Sequence, residues 1–183
     1  MSISITLHRS GTSRTQQVDT TTTGLDLFGS DRAVVAMRVD GNLVDLQREL
    51  HDGAEVEPVE ATSEDGLNII RHSATHVMAQ AVQQLYPEVN LGIGPFITDG
   101  FYYDFGNIEP VTPEVLSELE KRMKRIVKEN QRFVRRVTTE ESAREELADQ
   151  PYKLELIGTK GKGAEGASVE VGGGELTIYD NVH

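Results

Sequence analysis

Polar and apolar residues alternate from Ser2 to His8 (SISITLH), the period-two pattern of a half-buried strand. Residues 15–19 can return as a second strand across the turn at Ser10-Gly11. Hydroxyls at 20–23 offer an N-cap for a helix of about two turns over 25–28, closed by Gly29. The run AVVAMRV at 33–39 predicts a buried-type strand. Asp40-Gly41-Asn42 predicts a turn, 43–46 a returning strand, and 54–59 one more after Asp52-Gly53. Strand, strand, helix, strand, strand within the first 60 residues suggests a small β-grasp module. The polar, turn-rich EATSEDG at 60–66 marks a boundary, giving domains 1–61 and 62–183 and an α+β class for the chain.

Apolar spacing then changes from two to 3.6. At 100° per residue Leu67, Ile70, Ala74, Val77, Met78, Ala81, Val82 and Leu85 gather on one side of a helix, with His72, His76, Ala79, Gln80 and Gln83 roughly opposite. Pro87 ends that helix. LGIGPFI (91–97) and FYYDF (101–105) predict two strands joined by Thr98-Asp99-Gly100, and Gly92 and Gly94 leave room for close approach. In such a strand one of Tyr102 and Tyr103 must point away from the core. Thr112-Pro113-Glu114 opens a helix with the stripe Leu116, Leu119, Met123, Ile126 or Val127, and Phe133. A strand over 133–138, an acidic helix over 139–147, a strand over 152–157, a flexible loop over 158–166, and a last hairpin of 169–171 with 175–179 around Gly172-Gly173-Gly174 complete the expectation.

Charge alters this picture at one place. The 183 residues have a net charge of −12 and 37% hydrophobic residues, an ordinary soluble composition. There is no apolar run of the roughly 20 residues that a bilayer span needs, so no membrane partner is expected, and the expected location is the cytoplasm. Without cysteine there is neither a disulfide framework nor a thiolate metal site. A net negative chain repels polyanions unless a local basic surface stands out. Lys121, Arg122, Lys124, Arg125, Lys128, Arg132, Arg135 and Arg136 form such a segment, with Glu129 the only acid among them. A charge run is also the ordinary mark of a solvated face.

His72 and His76, at i and i+4, can address one metal or one small substrate. A zinc protease would have Glu directly after the first histidine, where Ser73 stands. Further zinc ligands would have to be His183, Asp104 or another carboxylate. Spacing leaves a structural pair, a polar catalytic pair and a metal site all open. His8 and His51 are isolated and read as surface residues.

The strings RHSATHVMAQAV, LGIGP, DGFYYDF, LEKRMKRIVKEN and PYKLE together resemble the N-terminal region of bacterial threonyl-tRNA synthetases, and the resemblance covers essentially the whole chain. It implies a TGS module over residues 1–61 and an editing domain of the threonyl/alanyl-tRNA synthetase type from 62 onward. It also implies a pocket hydrolysing serine wrongly attached to threonine tRNA, with His72, His76, Lys153 and Tyr103 in it. The family completes that pocket with a D-x-C-R-G-P-H segment, which this chain does not contain. The resemblance therefore implies part of a longer ligase, with this stretch inactive by itself.

The implied partner is the acceptor arm of threonine tRNA, met by the basic segment 121–136. Zinc and ATP with magnesium are expected only in the parent's absent catalytic domain, and no cofactor in this stretch. The parent is expected to be a homodimer, this stretch a monomer. An open cleft above the histidines, with Tyr103 and Lys153 nearby, is the structural expectation. A self-sufficient trans-editing hydrolase and a non-catalytic interaction module are the alternatives.

Overall fold

The computed structural model describes residues 1–158, 169–172 and 175–182. It divides into two compact units, Met1–Ile70 and Arg71–His183, and is of mixed α and β content with mostly antiparallel sheets.

The first unit contains β1 (Ser2–Arg9), β2 (Thr12–Asp19), α1 (Gly24–Phe28), β3 (Val34–Val39), β4 (Asn42–Val44) and β5 (Glu55–Glu60). The sheet runs in the order β2-β1-β5-β3-β4, with β1 and β5 parallel and the other neighbours antiparallel. Two-residue turns account for the hairpins: Ser10 and Gly11 have φ of 50° and 76°, Asp40 and Gly41 of 52° and 81°, the positive pair a type I′ turn requires. The first turn pairs Arg9 with Thr12, so β2 starts earlier than residue 15. In α1 the Asp26 carboxylate accepts both the backbone N–H and the hydroxyl of Thr23, each at 2.8 Å. The core gathers Ile3, Ile5, Phe28, Val34, Met37, Val39, Leu50, Ala54 and Val56. Gly24 lies so close that a Cβ there would meet Met37 Sδ at 2.6 Å.

Helix α2 (Glu64–Leu85) begins inside the segment read from sequence as linker. Ser63 Oγ accepts the Gly66 N–H at 3.1 Å, an N-cap arrangement. The expected stripe holds in the second half of the helix, where Ala81 and Val82 are buried and Val77, Met78 and Leu85 pack beside them, but not at its start, where Leu67 and Ile70 are 40% and 43% exposed; Thr75 and Ala79 are buried as well. On the histidine side the helix is covered at Ala79 and exposed again at Gln83.

The aromatic hairpin is present but interrupted. β6 (Asn90–Leu91) pairs with β9 (Phe105–Gly106), and β7 (Phe96–Ile97) with β8 (Gly100–Phe101). Between the ladders Gly92 N–H donates to Asp104 O and Asp104 N–H to Ile93 O, both at 2.9 Å. Pro95 has no N–H to give. Tyr102 is 47% exposed while Tyr103 turns inward, as the strand alternation required.

Helix α3 (Pro113–Lys128) starts at the expected Thr112 cap. Leu119 and Ile126 are buried with Val115 and Met123 beside them, but Leu116 and Val127 are exposed, one helical position off the predicted stripe. β10 (Arg132–Thr138) and α4 (Glu140–Glu146), capped by Thr139, follow.

Residues 152–157 are not a strand: they form α5 (Pro151–Gly158). Pro151 suits a first helical turn, the Gln150 carbonyl accepts from Lys153 and Leu154 N–H at 3.0 and 3.1 Å, and Leu154 and Ile157 share the side packed with Ala143 and Ile178. Period two and period 3.6 are indistinguishable over so short an apolar run. β11 (Val169–Gly172) and β12 (Glu175–Val182) form the final hairpin, and β12 also pairs with β10, giving the order β10-β12-β11. Most of the expected 158–166 loop, with Gly173, Gly174 and His183, lies outside the described residues. No helix among the described residues is long and apolar enough to cross a membrane.

Candidate functional site

One turn of α2 brings His72 and His76 into direct contact. Their Nε2 atoms lie 3.1 Å apart, with ring centroids at 4.7 Å and planes at 79°. Two neutral imidazoles in this geometry share one N–H: one ring donates from Nε2 and the other accepts there. Thr75, fully buried between them in sequence, donates its hydroxyl to the His72 carbonyl at 2.7 Å. Phe96 presents an edge-on ring to His72, with centroids 6.5 Å apart.

Lys153, on α5, acts on His76 through its charge. Only 7% of it is accessible, and burial lowers its pKa from 10.5 to about 8, against the opposing pull of the Glu146 carboxylate. The pKa of His76 falls from 6.5 to about 4, chiefly through burial, then through His72 and the positive charge of Lys153. Near neutral pH His76 is thus uncharged, and Lys153 is an ammonium that gives up its proton with unusual ease. A neutral His76 imidazole and a desolvated cation that acts on it are suited to polarising water and to stabilising an anion.

Tyr103 stands on the hairpin, in the apolar cluster that includes Val82, Val89 and Leu91. Its ring stacks on Phe105 at 4.7 Å and 11°. Burial pushes its phenol up to about 12, so it acts as a hydrogen-bond donor, not a base. Direct contact unites His72 with His76, and Lys153 acts on His76 through its charge, while the contacts of Tyr103 are with the hairpin. Sequence alone offered no signal for Thr75, Phe96 or Glu146, whose places follow from packing.

A cleft of about 400 Å³ in this unit is lined by Gly92, Ile93, Asp104, Phe105, Gly106, Tyr152 and Glu155. It follows the chain neighbours of Tyr103 and Lys153. In the first unit a cleft of about 440 Å³ includes Arg9 and Arg38, already paired with Asp31 and Asp65. His8 Nδ1 lies 2.8 Å from Ser13 Oγ, and His51 Nε2 2.9 Å from Asp40 Oδ2. Among the described residues no three His, Asp or Glu side chains converge as metal ligands would.

The basic segment is divided between two elements. Lys121, Arg122, Lys124, Arg125 and Lys128 are on α3, and Arg132, Arg135 and Arg136 on β10. Asn130, at φ 51°, is the left-handed residue that ends the helix. Lys121, Lys124, Arg125 and Lys128, at i, i+3, i+4 and i+7, share an exposed face opposite Leu119 and Ile126. Arg122 pairs with Glu118 at 3.0 Å, Lys124 with Glu120 at 2.6 Å, and Arg136 with Glu146.

No protein-family model matches the chain. Curated proteins do. It is 59% identical over 182 residues to the threonine–tRNA ligase of Streptomyces avermitilis, covering 98% of this chain and 28% of that protein. It is 63% identical over 167 residues to that of Streptomyces griseus, covering 90% and 25%, and 57% identical over 166 residues to that of Thermobifida fusca, covering 89% and 25%. The chain spans about a quarter of the length of these relatives, and over that quarter it is similar to the threonine–tRNA ligases.

Proposed function

We propose that this chain is the proofreading part of a threonine–tRNA ligase: it removes serine wrongly esterified to threonine tRNA, in a parent enzyme that attaches threonine using ATP. The observation that carries this reading is the His72–His76 pair, with the charge of the buried Lys153 acting on His76. Serine and threonine differ by one methyl group, worth only about 1–3 kcal/mol in a binding pocket, so the synthetic site needs a second sieve. A water attacks the seryl ester carbonyl. Its oxygen forms the new C–O bond, its proton passes to an imidazole, and the ribose oxygen leaves and takes up that proton. His72 is the better acceptor for the role, since burial and Lys153 keep His76 from charging. His76 orients it through the shared Nε2 contact, and Lys153 stabilises the developing oxyanion.

The sheet order β2-β1-β5-β3-β4 of the first unit supports a β-grasp, TGS-like module, and the second unit takes the role of the editing domain. The exposed α3 face of Lys121, Lys124, Arg125 and Lys128 would meet acceptor-arm phosphates, with Arg132, Arg135 and Arg136 following on β10. Zinc, ATP and magnesium belong, on this reading, to the remainder of the parent.

The test is deacylation of seryl-tRNA for threonine by a complete ligase carrying this sequence. Replacing His72 and His76 together should lower the rate by about 10²–10⁴, the usual contribution of a positioned acid–base group, and leave aminoacylation unchanged. An unaltered rate refutes the proposal.

A further inference from the structure

We propose that Gly94 is a positioning residue that holds the Tyr103 ring in its place on the hairpin. The proposal rests on the reading above only for the consequence to hydrolysis.

Gly94 is buried, and its backbone is outside the positive-φ group formed by Gly11, Gly41 and Gly53. Conformation therefore does not demand glycine here; space does. A Cβ at residue 94 would lie 2.5 Å from Tyr103 Cε2 and 2.9 Å from Cγ, against the 3.5–4.0 Å that carbon atoms keep in contact. The atoms met belong to the ring itself, not to the movable end of a flexible chain.

The ring has little freedom to yield. It is stacked on Phe105 at 4.7 Å, and the backbone on either side of it is tied: at Asp104 by Gly92 N–H to Asp104 O and Asp104 N–H to Ile93 O, each at 2.9 Å, and at Tyr102 by its N–H to Pro95 O at 3.4 Å. Gly92 shows the same economy, since a Cβ there would come 2.8 Å from Asp104 O. The two glycines let the strands close until the Tyr103 ring lies against bare backbone. An alanine at 94 must push the ring off Phe105 or force the strands apart. Either movement displaces the phenol hydroxyl, which burial keeps protonated.

The experiment has two arms. In the 183-residue chain with ring-labelled tyrosine, the Tyr103 signals are identified by their loss in Tyr103→Phe. They should lie upfield through the Phe105 ring and move toward free-tyrosine positions in Gly94→Ala. Thermal midpoints should show Gly94→Ala destabilising the wild type but costing nothing further in Tyr103→Ala, because the ring it strikes is gone. Unchanged ring signals, or an equal cost in both backgrounds, overturns the proposal. In a complete ligase, Gly94→Ala should slow seryl-ester hydrolysis as much as Tyr103→Ala does, with no further loss in the double variant. Ring signals that move while hydrolysis stays at the wild-type rate support the positioning and overturn instead the place of Tyr103 in the hydrolytic site.

Discussion

Replacing Lys153 by methionine removes a buried charge while keeping most of the apolar stem, and its effect on stability has a definite sign and pH window. The unfolded chain keeps this proton up to pH 10.5, the folded chain only up to about 8. Between those values unfolding takes up a proton, so stability rises with pH. Below about 8 the folded state bears the whole cost of the buried ammonium. At about 1.4 kcal/mol for each pH unit, the fall from 10.5 to about 8 corresponds to about 3 kcal/mol. Lys153→Met should therefore be the more stable protein at pH 7, with the advantage shrinking to nothing by about pH 10.5. Urea unfolding of both proteins from pH 7 to 11 measures it, because taking the difference between them cancels the other titrating groups. A difference that stays flat across this range, or that grows with pH, would refute the desolvation argument.

The remaining expectations use the same physics. His76 takes up a proton below pH 6.5 when unfolded but only below about 4 when folded, so stability should fall by about 3 kcal/mol as pH drops through that window; His76→Gln should lack this fall in urea titrations at pH 4 and 7. Gly66→Ala should cost about 1–3 kcal/mol by overpacking, since a Cβ there would come within 2.8 Å of the Glu60 carbonyl carbon and closer still to its oxygen; an unchanged denaturation midpoint would refute it. Met37→Ala, at a fully buried site in the first core, should cost about 2–5 kcal/mol in the same assay.

The sequence determined what depends on near neighbours. Ser10-Gly11 and Asp40-Gly41 can serve as type I′ turns wherever they occur, and Thr112 before Pro113 starts a helix in almost any setting. The i, i+4 spacing alone sufficed to place His72 and His76 on adjacent turns, and the quoted strings were specific enough to indicate the ligase family. Tertiary structure decided what depends on distant partners. Residues 152–157 carry too few apolar positions to separate a strand from a helix, and the outcome came from packing against Ala143 and Ile178. The basic run looked like one segment until Asn130 ended α3 and β10 paired with β12. Above all, the protonation of the site was not legible. Neither the neutrality of His76 nor the weakened hold of Lys153 on its proton lies in residue type or spacing. Both arise from the loss of water around groups that only the folded chain brings together.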